Sequence, residues 1–191
     1  MLRPMRWLCL DPGMKRTGVA LSDPEGTFAV PLVVLTHDRS GPSADEVAEL
    51  VEDHRATGVV VGLPLSMDGT ASEQTQFAVD VARSVAERLG AWVEVREELQ
   101  SLLAIPVPGE PRDIDSLRVV LWDERLTTFE AKRLTGGDAR PRGRRKKPRH
   151  LDAHAAAVIL QSFLDSQSGG NEEAGDETMP AAREEGLLDS D

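Results

Sequence analysis

RWLCLDPGMKRTGVALS (6–22) is the stretch on which the fold turns. Its apolar run RWLCLD (6–11) stops at Pro12-Gly13, a turn signal, and GVALS (18–22) resumes the apolar pattern at short spacing. FAVPLVVL (28–35) follows after a second short gap, so this part of the chain reads as three antiparallel strands joined by tight turns. Pro31 suits a sheet edge, because proline has no N–H to give to a ladder.

Working outward, Ser43 with Glu46 forms a capping box that opens a helix through Val47, Leu50, Val51 and His54. VVVG (59–62), apolar on both faces, reads as a buried parallel strand. After the loop LPLSMDGT (63–70), Phe77, Val81, Val85 and Leu89 recur on one face of a helix over about 72–89, which Gly90 stops. AWVEV (91–95) and RVVLW (118–122) are strand-like, whereas 96–117 carries no firm pattern. Thr127 with Glu130 predicts a short helix closed by Gly136-Gly137, and LDAHAAAVILQSFL (151–164) predicts the last one. The expected fold class is α/β: a mixed five-stranded sheet flanked by helices.

The chain has 191 residues and one cysteine, which fits a single domain over 1–165 with an insertion at 96–117, and excludes a disulfide framework. No apolar run approaches the roughly 20 residues that cross a bilayer, and no secretory signal is present, so the expected compartment is the cytoplasm and no membrane partner is expected. The net charge of −11 is unevenly spread. Residues 166–191 hold eight acids against Arg183 and read as an acidic, disordered tail, while 129–150 hold nine Lys/Arg against Glu130 and Asp138.

Acids stand where strands or helices end: Asp11 closes the first strand, Asp123 and Glu124 close RVVLW, and Asp152 opens the last helix among alanines. Each alone is equally a cap or a solvated turn residue. Gathered, they would repel one another and raise at least one pKa, a penalty that a divalent cation removes; oxygen ligands suit Mg²⁺ or Mn²⁺. Of Asp123 and Glu124 only one faces such a site if the strand continues, since alternate side chains point to opposite faces.

LDPGMKRTGVALSDP (10–24), VVVGLPLSMDGTASEQ (59–74), VVLWDERLTT (119–128) and LDAHAAAVILQSFL (151–164) together resemble the YqgF/RuvX family. The resemblance implies a ribonuclease H-like fold and a metal-dependent nuclease that matures the 5′ end of pre-16S ribosomal RNA or resolves Holliday junctions. Carried over, Asp11, Glu124 and Asp152 are the metal-holding catalytic acids, serving two Mg²⁺ or Mn²⁺ ions. Met14 departs from the small polar residue of the family pattern, which argues against a hydroxyl contact there.

Lys15 and Arg16 beside Asp11, and Lys146, Lys147 and Arg149 in the basic run 140–150, are the expected phosphate contacts. The expected partner is therefore nucleic acid, precursor rRNA or branched DNA. Resolution of a four-way junction additionally calls for a homodimer, because paired cuts need two sites. A binding module without catalysis is the alternative of another class. An actin-like ATPase, suggested by the likeness of LDPGMKRTGVAL (10–21) to a nucleotide-phosphate loop, is disfavoured, as such enzymes need two related domains and these 191 residues show no repeat.

Overall fold

The structure, a computed structural model, describes residues 5–66, 68, 70–103, 117–125 and 150–169. Six strands, β1 (Trp7–Pro12), β2 (Arg16–Ser22), β3 (Ala29–Thr36), β4 (Gly58–Leu63), β5 (Trp92–Glu94) and β6 (Arg118–Asp123), form one sheet in the order β3-β2-β1-β4-β6-β5. β1, β2 and β3 are antiparallel neighbours; β1, β4, β6 and β5 run parallel. This is the mixed α/β architecture expected, with six strands where a five-stranded sheet was expected. β5 falls within the strand-like AWVEV and is only three residues long at the edge, since β6 enters the sheet between β4 and β5.

Four helices among the described residues flank the sheet: α1 (Ala44–Asp53), α2 (Glu73–Leu89), α3 (Glu97–Leu103) and α4 (His150–Gly169). Pro31 does lie on an edge strand, opposite Ala20 where the β2–β3 register shifts. Ser43 is the N-cap of α1, yet its side chain makes no capping bond. The cap that forms is at α2, where the Ser72 hydroxyl accepts from Thr75 N and the Thr75 hydroxyl accepts from Ser72 N. Gly90 ends α2 in the left-handed region at φ 63°. The 96–117 segment, patternless in sequence, contains α3, and α4 runs past its expected end at Leu164 to Gly169. The helix expected after Thr127, the basic run 140–149 and residues 170–191 lie outside the described residues. No helix among the described residues is long and apolar enough to cross a membrane.

Strand alternation divides the core in two. Leu8, Leu10, Val59, Val61, Val119 and Leu121 pack with α1 and α2 on one face. Trp7, Cys9, Ala20, Val60, Val120 and Trp122 pack with Ala156, Ile159, Leu160 and Phe163 of α4 on the other. Phe163 meets Trp7 and Trp122 edge-on, with ring centroids 4.7 and 5.4 Å apart. Two-residue periodicity then assigns Asp11, Gly18, Gly62 and Glu124 to the α4 face, and Asp123 to the α1/α2 face.

Candidate active site

That parity places the acids. At the ends of β1 and β4 the α4 face carries no large side chain, and a pocket of about 720 Å³ opens there, lined by Asp11, the hairpin Gly13–Arg16, Gln74, Glu124, Asp152 and the α4 residues Ala155, Val158 and Ile159. It lies outside the carboxyl ends of parallel strands, where α/β proteins characteristically bind ligands. Asp11 arrives from β1, Glu124 from the residue after β6, and Asp152 from the first turn of α4.

Two glycines set the approach of these elements. A Cβ on Gly18 would stand 2.0 Å from the Asp152 carbonyl oxygen, so the start of α4 rests directly on the β2 backbone. A Cβ on Gly62 would stand 2.8 Å from Glu124 Oε1 and 3.0 Å from Ile159 Cδ1, so β4 leaves room for the carboxylate to lie across it. Gly62 thus makes space for an acid.

The electrostatics of the pocket are unbalanced. Burial, followed by the charges of Asp11 and Asp123, pushes the Glu124 carboxyl up to about 7. Asp152 faces Arg16, whose Nε lies 3.1 Å from Oδ2. That approach lacks hydrogen-bond alignment, and the buried Oδ2 accepts no hydrogen bond. Beneath them, burial and the Asp11 and Glu124 charges push the Cys9 thiol well up, which keeps it a neutral core group.

Three sequence-derived acids therefore share one pocket, together with Lys15 and Arg16. They do not form a closed ligand shell: among the described residues no three acid, histidine or cysteine side chains are grouped closely enough to hold a metal ion. The pocket still fits a hard cation in its chemistry, because a carboxyl with elevated proton affinity and a buried acceptor without a donor are both satisfied by positive charge. Asp123 is turned away. It is 4% exposed on the opposite face, and its carboxylate is taken by Arg125. Lys146, Lys147 and Arg149 lie outside the described residues. Gln74, on the first turn of α2, was not foreseen; an exposed polar residue in a helix carries no signal of what it faces.

Fold and pocket together define an α/β protein with an acid-lined, cation-flanked site at the ends of its parallel strands. The chain belongs to the RuvX family, described as Holliday junction resolvase, whose pattern matches residues 5–104 and 112–166. It is similar to proteins named "Putative pre-16S rRNA nuclease". The one from Caldanaerobacter subterraneus subsp. tengcongensis is 36% identical over 85% of this chain and 98% of its own. That from Pelotomaculum thermopropionicum is 37% identical over 90% and 94%. Among solved structures, T. thermophilus RuvC in complex with Holliday junction substrate is similar at 15% identity and a TM-score of 0.45, covering 86% of this chain and 96% of that one.

Proposed function

We propose that this chain is a divalent-metal-dependent nuclease of the cytoplasm that hydrolyses phosphodiester bonds in 5′-end processing of pre-16S rRNA. In this reading its nuclease domain spans 1–165 and 166–191 is an acidic tail, although residues 166–169 continue α4 and are not disordered. One observation carries the proposal: Asp11, Glu124 and Asp152 reach the same pocket from three elements, beside Lys15 and Arg16. The apolar packing of this face is made by Trp7, Cys9, Val60 and Trp122 against α4, with none of the three acids in it.

Asp11 and Glu124 would hold the metal, Mg²⁺ or Mn²⁺, with Asp152 supplying the opposite wall. Bound there, such ions would supply charge stabilisation for phosphodiester hydrolysis and would lower the pKa of water. The chain's own residues do the rest. Lys15 and Arg16 project from the tight β1–β2 hairpin, which Gly13 N closes by donating to the Arg16 carbonyl at 3.0 Å, and they hold a phosphate against the acids. Arg16 exchanges Asp152 for that phosphate, freeing the carboxylate to face the cation site. The basic run 140–150 lengthens the contact along the strand.

The rRNA assignment follows the names of the relatives. The family description favours a second reading with the same chemistry, four-way DNA junctions, which requires a two-fold dimer. A cleavage panel separates them: single-stranded RNA, precursor rRNA and four-way junctions, each with Mg²⁺ and Mn²⁺, beside Asp11→Asn. Metal-dependent cutting of precursor RNA that Asp11→Asn abolishes is the expected result. Binding of any of these with no turnover under either metal would replace the nuclease with a binding module.

A further inference from the structure

We infer that Asp123 is a positioning residue that holds the Arg125 guanidinium away from Glu124, keeping the pocket open to a cation. The inference rests on the nuclease reading, and it concerns a problem set by sequence. WDER (122–125) puts an arginine directly after the acid that is meant to face a metal. A guanidinium pairs bidentately with a carboxylate, and an arginine free to fold back onto Glu124 would supply the positive charge that the cation otherwise supplies.

The structure shows how this is avoided. Arg125 Nη2 donates to Asp123 Oδ2 at 2.7 Å, and Nε lies 3.0 and 3.1 Å from Oδ1 and Oδ2. Nη1 reaches the Ser66 carbonyl at 3.5 Å, in the loop after β4, and the charges of Arg125 and Asp68 in that loop act on one another. The guanidinium is thus engaged at every nitrogen on the Asp123 side of β6. The loop it reaches is itself anchored, as the Thr75 hydroxyl donates to the Pro64 carbonyl. Asp123 also does a second, local job: its Oδ1 accepts from Arg125 N at 3.0 Å, where the strand gives way to helical backbone.

The two jobs are separable. Asparagine caps a helix start as well as aspartate does, but it cannot grip a guanidinium with two charged oxygens. Asp123→Asn therefore removes the restraint and keeps the cap. Measured by calorimetric titration of Mn²⁺ into the whole protein, Asp123→Asn is expected to weaken binding by about tenfold or more, the scale of lost support around a metal ligand. The double variant Asp123→Asn/Arg125→Gln, which has no guanidinium to release, is expected to return affinity to within about threefold of wild type, the scatter of such differences. A double variant as weak as the single one would mean a merely structural role and overturns the inference, as does wild-type affinity in Asp123→Asn.

The metal-free crystal structure of Asp123→Asn gives an answer independent of the nuclease reading. Arg125 on Glu124 is the expected outcome, and Arg125 still on residue 123 overturns it. Should wild type bind no Mn²⁺, the nuclease reading fails, and that crystal structure alone decides the inference.

Discussion

The two faces of the sheet are built from the same six strands and solve different problems. Under α1 and α2 the strands present valine and leucine along their length, and the core is continuous from end to end. Under α4, Trp7 and Trp122 pack against Phe163, while β1 and β4 end in an acid and a glycine that leave the pocket open. Burial of a full leucine side chain is worth about 1.5–3 kcal/mol. The closed face is thus where stability is made, and it supports an open face on which charge is concentrated at some cost. Asp123 and Glu124 show the contrast within two residues: one is buried and paired, the other stands in the pocket with its proton affinity raised.

The contrast is broken most decisively at Asp11. Asp11→Asn is expected to lower cleavage by roughly 10³-fold, the scale for losing a preorganised charge-stabilising group, while thermal unfolding stays cooperative. Activity within tenfold of wild type would remove the open face from the chemistry. On the closed face the reverse holds. Leu8→Ala is expected to cost about 2–5 kcal/mol of stability in chemical denaturation and leave the turnover of folded molecules unchanged.

The pH dependence of stability sharpens the same comparison. Glu124 is raised from 4.5 to about 7, so between these values the native state keeps a proton that the unfolded chain releases. Stability from this group is full below pH 4.5, falls as pH rises toward 7 and is level beyond, a loss of about 3 kcal/mol. Saturating Mg²⁺ is expected to recover it, so the metal should raise the melting temperature more at pH 8 than at pH 5. Equal shifts at both would contradict a cation at Glu124. Gly18→Ala, which forces a methyl group against the Asp152 carbonyl, is expected to cost about 1–3 kcal/mol by overpacking and to lower activity as α4 lifts. Smallest is Lys15→Gln: loss of one phosphate contact should flatten the salt dependence of single-stranded RNA binding by about 0.7 in log–log slope.

Much of this was legible beforehand because it depends on local periodicity. The three opening strands, the edge position of Pro31, the buried parallel strand and the Gly90 stop all follow from side-chain pattern and backbone freedom. The acids were readable as strand and helix ends, although not as neighbours, since proximity between residues 11, 124 and 152 is made by topology. Parity could restrict Asp123 and Glu124 to one winner and could not choose it without knowing which face α4 covers. Ser43 marked a helix start without making the bond that was the reason for naming it. Gly18 carried a signal that went unused, because a glycine inside a strand often marks another backbone in close approach. α3 and the Arg16–Asp152 pair had none: each depends on tertiary neighbours rather than on spacing.

Cys9 sits one alternation below Asp11 on the same strand and is fully buried. As the sole thiol of the chain, it gives the protein a built-in reporter. An alkylating reagent reaches it only when α4 lifts from the sheet, so the rate of modification counts uncoverings of the very strand that presents Asp11. Substrate analogues and metals that brace this strand will slow the labelling clock, with no engineered tag required.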